Sequence, residues 1–220
     1  MQTTMESNWK DNKTALFFAK GMLCLAVLGI TSGCQKKFSS EKELWTYIKN
    51  PENGYHLEKT MGHIKYALTY RPTDVLVKQS LTDDFDQMAI DSLRQIYGDY
   101  LYFNLSMSAN DQELLNSKAA DRAAFGTMVN QLAFGMDNKV HLITKSRDTI
   151  PLADYIYPRM YGMANSTNLL LVYPKDKAAL NEDYFHFTIE DLGFATGEVG
   201  FKVPTKPIVQ EPQLTFDQTL

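Results

Sequence analysis

Ile64-Lys65-Tyr66-Ala67-Leu68-Thr69-Tyr70-Arg71 alternates large apolar side chains with small or polar ones, and Pro72 stops the run. Side chains of a strand point to opposite faces in turn, so this pattern predicts a strand with one buried and one polar face. Such one-sided strands belong to antiparallel sheets rather than to parallel sheets covered on both faces. Outward from it, the same alternation recurs at 101–107. There Leu101, Phe103, Leu105 and Met107 take one face, while Tyr100, Tyr102, Asn104, Ser106 and Ser108 take the other. Between the two strands, 74–81 reads as a short helix. The stretch 83–97 reads as an amphipathic helix with Phe85, Met88, Ala89, Leu93, Ile96 and Tyr97 along one stripe. Upstream, 41–55 begins as a helix capped by Ser40 and ends in the turn-forming Asn50-Pro51-Glu52-Asn53-Gly54.

Downstream, Asn110 is placed to cap a long helical stretch, whose stripe includes Leu114, Leu115, Phe125, Met128, Leu132 and Met136. Strands are then expected at 139–145, 149–157, 167–173, 184–189 and 198–203, with Ser146-Arg147-Asp148 closing a hairpin and a helical turn at 176–180. The sum is an α+β fold: a mainly antiparallel sheet with two principal helices packed on one face. From Pro204 onward, closely spaced prolines and few large apolar residues predict an extended tail over 204–220.

The chain has 220 residues, 44% hydrophobic and 22% charged, with a formal net charge of -4. Those values exclude wholesale disorder, and the acidic balance argues against a nucleic-acid partner, whose phosphates call for a basic surface. Two cysteines, Cys24 and Cys34, exclude a disulfide-dense scaffold.

The first residues differ in kind from the rest. Lys10, Lys13 and Lys20 precede the apolar run Gly21-Met22-Leu23-Cys24-Leu25-Ala26-Val27-Leu28-Gly29-Ile30, followed by the small residues Thr31-Ser32-Gly33 and then Cys34. A membrane span needs about 20 apolar residues, and this run is about half that. A basic segment, a short apolar core and small residues at the end describe a secretory signal peptide over 1–33.

Thr31-Ser32-Gly33-Cys34 resembles the lipobox of bacterial lipoproteins, with Thr31 where Leu is usual. The resemblance covers the leader alone. It implies a diacylglycerol on the Cys34 thiol, cleavage before that residue, and acylation, for example with palmitate, of the new amino terminus. Cleavage would remove Cys24, leaving no free thiol. Two or more acyl chains hold a protein stably at a membrane, at about 0.8 kcal/mol per buried CH₂. Lys36 and Lys37 are placed to meet anionic headgroups. Gln35, in the position where Asp favours inner-membrane retention, resembles outer-membrane sorting. The absence of an acidic cluster over 35–40 points to the periplasmic face. The organisation expected is therefore a signal peptide over 1–33, a tether over 34–40, one α+β domain over 41–203 and the C-terminal tail.

Motifs for chemistry are sparse. His56, His63, His141 and His186 are dispersed, and neither HExxH nor paired cysteine ligands occur, so no metal site is expected. His141 and His186 lie in predicted strands and are the pair most able to meet. The acidic run Asp83-Asp84-Phe85-Asp86 lacks the order of a calcium loop and suits a helix start. No GxSxG or SxxK is present, and the glycine-rich stretch 193–200 lacks a phosphate-loop lysine, reading instead as a turn before the last strand. No catalytic residue and no cofactor are assigned.

The segment Asp154-Tyr155-Ile156-Tyr157-Pro158-Arg159-Met160-Tyr161 is rich in the residue types of recognition surfaces, so Tyr155, Tyr157, Arg159 and Tyr161 are a candidate partner surface. The alternative is that these rings cover the core. Asp148-Thr149-Ile150 and Asp91-Ser92-Leu93 resemble an O-glycosylation acceptor pattern of some bacterial envelopes, and Thr149, at a hairpin, is the more accessible. The function expected is that of a non-catalytic, membrane-tethered envelope lipoprotein binding a protein partner or supporting an assembly. The alternative is a periplasmic small-ligand-binding protein or a hydrolase with a spatially assembled site.

Overall fold

The computed structural model describes residues 35–160 and 162–216. Its strands and helices run in the order β1 (Lys37–Phe38), α1 (Glu41–Lys49), β2 (His56–Met61), β3 (Ile64–Arg71), α2 (Thr73–Ser80), α3 (Gln87–Gly98), β4 (Tyr100–Ala109), α4 (Arg122–Phe134), β5 (Val140–Thr144), β6 (Thr149–Ile150), β7 (Asp154–Ile156), β8 (Thr167–Pro174), β9 (Tyr184–Ile189), β10 (Val199–Pro204), α5 (Thr205–Val209) and β11 (Gln213–Leu214). The fold is α+β and its sheets are mainly antiparallel, as the alternation in β3 and β4 requires.

Nine of the strands divide between two antiparallel sheets instead of joining one, and β1 and β11 form a separate parallel pair. One has the order β2-β3-β4-β8-β7 and the other β10-β9-β5-β6. Both feed a single apolar cluster: Ile64, Tyr66, Leu68 and Tyr70 of β3 meet it from one side of the topology, Phe185 and Phe187 of β9 from the other. Alternation tells which face of a strand is buried, not which sheet the strand joins. The stretch expected as one strand over 149–157 shows this. It breaks at Pro151, which lacks an amide donor, and its halves β6 and β7 pair with different sheets.

β2, which has no clear alternation, pairs antiparallel with β3 as an edge strand. The two-residue loop Gly62-His63 closes that hairpin, with Gly62 at φ 60, a conformation glycine adopts without strain.

The long helix expected after Asn110 is interrupted. Asn110 and Asp111 take left-handed conformations (φ 52 and 58) and turn the chain, as their short polar side chains allow. Glu113 is buried, and its carboxylate accepts from the Ala164 amide at 3.0 Å. The helix proper begins at Arg122, where the Asp121 carboxylate accepts from the amides of Ala123 and Ala124 at 2.9 and 3.1 Å. Asp121→Ala is expected to cost about 1 kcal/mol in chemical denaturation, the usual value of such a cap. An unchanged midpoint would refute the assignment of Asp121 as the helix start.

The tail expected over 204–220 folds onto the domain as far as it is described. Its sparse apolar residues Ile208 and Leu214 are both buried, and α5 and β11 carry them. Gly54, at φ 77, lies where an added Cβ would approach Pro204 and Pro207 to 3.1 Å. Likewise, the tether expected over 34–40 is structured from Lys37. β1 pairs in parallel with β11, and the Ser40 side chain caps α1.

A clasp of charged groups ties the C-terminal segment, whose β11 pairs with β1, to α2 and α3. Asp74 of α2 accepts from Arg94 Nε and a terminal guanidinium nitrogen, both at 2.8 Å, and from the Leu214 amide at 2.8 Å. Glu211 accepts from the Tyr70 hydroxyl at 2.9 Å and from the Thr73 amide and hydroxyl at 3.0 and 2.9 Å. Burial first, and the Glu211 carboxylate second, push the Tyr70 phenol well above its ordinary value.

Candidate functional site

The polar face of β3 builds a concave site. α1 borders it. Leu44 and Ile48 of this helix are fully buried, which fixes its roll and sets Lys42, Trp45 and Lys49 along the rim of a groove of about 690 Å³. That volume falls in the range of about 300–1,000 Å³ usual for small-ligand sites. Trp45 Nε1 donates to the Glu41 carboxylate one turn back at 3.1 Å, holding the indole in place.

The sheet side is a row of polar residues crossing four strands. His56 of β2 pairs with Thr69 of β3, which pairs with Asn104 of β4. Asn168 of β8 sits one pair further along, opposite Ser106, and its Oδ1 lies 3.5 Å from Asn104 Nδ2. The Asn168 amide nitrogen donates in turn to the Ser166 carbonyl and hydroxyl, at 3.2 and 3.1 Å. The Asn168 carboxamide is therefore oriented by its bonds to Ser166, and Asn104 meets it through one long contact.

Arg71, at the end of β3, also lines the groove. One terminal nitrogen donates to Gln79 Oε1 at 2.6 Å, and its guanidinium carbon lies 5.9 Å from the Trp45 ring centre. Its Nε is buried and has no hydrogen-bond acceptor among the described residues. Burial lowers the basicity of this guanidinium, and the nearby Glu41 carboxylate partly restores it.

His56 Nδ1 lies 2.8 Å from the Thr69 hydroxyl, and its Nε2 lies 3.1 Å from Glu58 Oε1. The order hydroxyl, imidazole, carboxylate is that of a nucleophilic triad. Here the three residues are also a cross-strand pair and its same-face neighbour, so sheet register alone brings them together. Thr69 is only 8% exposed, and Glu58 is shared with Lys65 at 3.3 Å. The His56 hydrogen bond above all, then Lys65, holds the Glu58 carboxyl below its ordinary value despite burial. The row stiffens the groove floor and fixes the imidazole; a recessed, β-branched hydroxyl makes a poor nucleophile.

The other candidate residues are placed as follows. Tyr155 and Tyr157 are half-buried and pack on the core. The Tyr155 hydroxyl accepts from the Met136 amide at 3.4 Å, and burial pushes the Tyr157 phenol up. Arg159 is exposed, and Tyr161 lies outside the described residues. What this segment presents outward is Ile156 and Met160, 54% and 41% exposed, with Met163 beyond them at 79%. Thr149 is exposed in β6 and Ser92 on α3, while Cys34 and the leader lie outside the described residues.

His141 and His186 share a face of the second sheet without forming a site. His141 pairs with Glu190 at 3.4 Å, and His186 stacks edge-on against Tyr184. No cluster of three or more His, Cys, Asp or Glu side chains able to hold a metal occurs among the described residues. Asp86 of the acidic run caps α3 through the Ala89 amide at 2.7 Å. No helix among the described residues is long and apolar enough to cross a membrane.

Sequence reading passed over the groove because its residues are dispersed. Asn104 was the available signal, since Asn is depleted in strands and it sits mid-strand on a polar face; Asn168, second in β8 on a face with Leu170 and Val172, offered less. Comparison of the chain with protein-family models, with curated proteins and with solved structures finds no match.

Proposed function

We propose that this chain is a membrane-tethered cell-envelope lipoprotein, lipidated at Cys34 and held at the outer membrane facing the periplasm, that works by binding rather than by catalysis. The groove bordered by α1 is its binding site. The observation that carries the binding reading is the convergence there of two carboxamides, an aromatic wall and the cationic Lys42, Lys49 and Arg71. Sites for small ligands are concave, with a few placed polar groups, and this groove has that composition.

Photo-crosslinking in intact cells tests it. With Thr46→benzoylphenylalanine, the groove rim should give a light-dependent adduct with a small molecule, while the same residue at Lys177 should not. Equal adducts at both positions, or none at Thr46, would overturn the binding reading. Catalysis has its own check: if Thr69→Val abolishes hydrolysis of a chromogenic ester that the wild-type chain cleaves, the His56 row is an active site.

A second reading, binding of an envelope protein partner through 154–163, is favoured by the outward-facing Ile156, Met160 and Met163 beside Arg159. Exposed apolar residues with Met and Arg are typical of interfaces. In this case the photo-reactive residue at Met163 should yield a protein-sized adduct.

A further inference from the structure

The groove concentrates positive charge on a chain whose net charge is -4. Lys42, Lys49 and Arg71 all line it, and among the described residues none of them enters an ion pair. Four lysines elsewhere are ion-paired among the described residues: Lys65 with Glu58 at 3.3 Å, Lys139 with Glu190 at 2.7 Å, Lys145 with Asp183 at 2.6 Å and Lys175 with Glu211 at 3.5 Å. Two carboxylates border the groove: Glu58, engaged by His56 and Lys65, and Glu41, which accepts from the Trp45 indole and acts on Arg71.

Arg71 is the sharper observation. A buried donor without an acceptor is costly, and more so on a charged group. Arg71 lines the groove 5.9 Å from the Trp45 ring centre and is held by one bond to Gln79; its Nε is closed to solvent, which leaves the terminal nitrogens as the donors a groove ligand can reach. Guanidinium geometry matches the paired oxygens of a carboxylate or phosphate. The neighbouring amides of Asn104 and Asn168 suit hydroxyls attached near such a group.

We propose that the groove binds the oxyanion of a small hydroxylated ligand, a phosphate or a carboxylate, with Arg71 as its main contact. Lys42 and Lys49 at the rim add attraction, Trp45 forms a wall, and Asn104 and Asn168 bond to the adjoining hydroxyls. The inference rests on the binding reading of the groove given above. A soluble metabolite and a phospholipid headgroup offer the same chemistry, and the test separates them.

The full chain in neutral detergent is titrated with inorganic phosphate and with citrate, and in a second arm with vesicles of phosphatidylglycerol or of phosphatidylcholine. The readout is the NMR signals of the Arg71 Nε–H, the Trp45 indole and the Asn104 and Asn168 amides. Saturable shifts with the soluble anions indicate a free ligand. Shifts with phosphatidylglycerol alone indicate a headgroup. Arg71→Gln should weaken either response at least tenfold with the remaining spectrum intact, whereas Lys145→Gln, outside the groove, should leave it unchanged. Absence of saturable shifts in both arms, or equal weakening by the two variants, overturns the proposal. If that happens while crosslinking at Thr46 still captures a small molecule lacking any acidic group, the binding reading survives and only the anion is lost.

Discussion

Asp74→Ala should lower the unfolding free energy by about 3 kcal/mol, with a smaller loss for Asp74→Asn. Asp74 is 3% exposed and anchors three separate donors: two guanidinium nitrogens of Arg94 and the amide of Leu214. Removing it leaves a cation and a buried backbone N–H without their acceptor. Breaking one side of a fully buried pair costs about 3–5 kcal/mol, and partial exposure of Arg94 places the expectation at the lower end. Asn keeps one oxygen for the Leu214 amide but loses the charge and turns a donor toward Arg94. Loss of Asp74 also frees β11, and with it the parallel partner of β1. Hydrogen exchange at Leu214 should therefore rise more than exchange in β9. Urea denaturation gives the magnitude, and a loss below about 1 kcal/mol would show that the clasp does not hold the ends of the chain.

Cys34→Ser should move the protein wholly from the membrane to the soluble fraction without unfolding it. The proposed anchor is two or more acyl chains at about 0.8 kcal/mol per buried CH₂, far stronger than the lysines beside it can replace. Residues 35–216 hold an apolar core, with Leu44, Leu68, Phe103 and Phe187 among its members. The denaturation midpoint should be unchanged, and residual membrane binding of the variant would point to a different attachment.

Much of the fold was legible because strand alternation is local. Ile64, Tyr66, Leu68 and Tyr70, and Leu101, Phe103, Leu105 and Met107, are all buried as their spacing requires. Other elements depended on partners distant in the chain. β2 has no pattern of its own and exists because β3 offers an edge, and β11 is a pair of residues matched to β1 across the whole chain. The prolines at 204, 207 and 212 read as tail signals, yet they sit around short elements pinned by Ile208, Glu211 and Leu214. Asn110 and Asp111 resemble a helix start in composition, but their left-handed backbone makes a turn and leaves the capping role to Asp121.

The groove was less legible for the same reason. Its floor takes one residue from each of β2, β4 and β8 and two from β3, and only the cross-strand register aligns them. The tyrosine-rich segment, by contrast, is conspicuous in sequence, while its rings at Tyr155 and Tyr157 are partly spent on the core.

The tether is the claim on which location and mode of action both depend, and the mass of the N-terminal peptide tests it most directly. Protein extracted from membranes should yield a peptide that begins at Cys34 and carries a diacylglycerol on sulfur and a further acyl chain on the amino group. A peptide with an unmodified Cys34, or one in which Cys34 is still joined to Gly33, would contradict it.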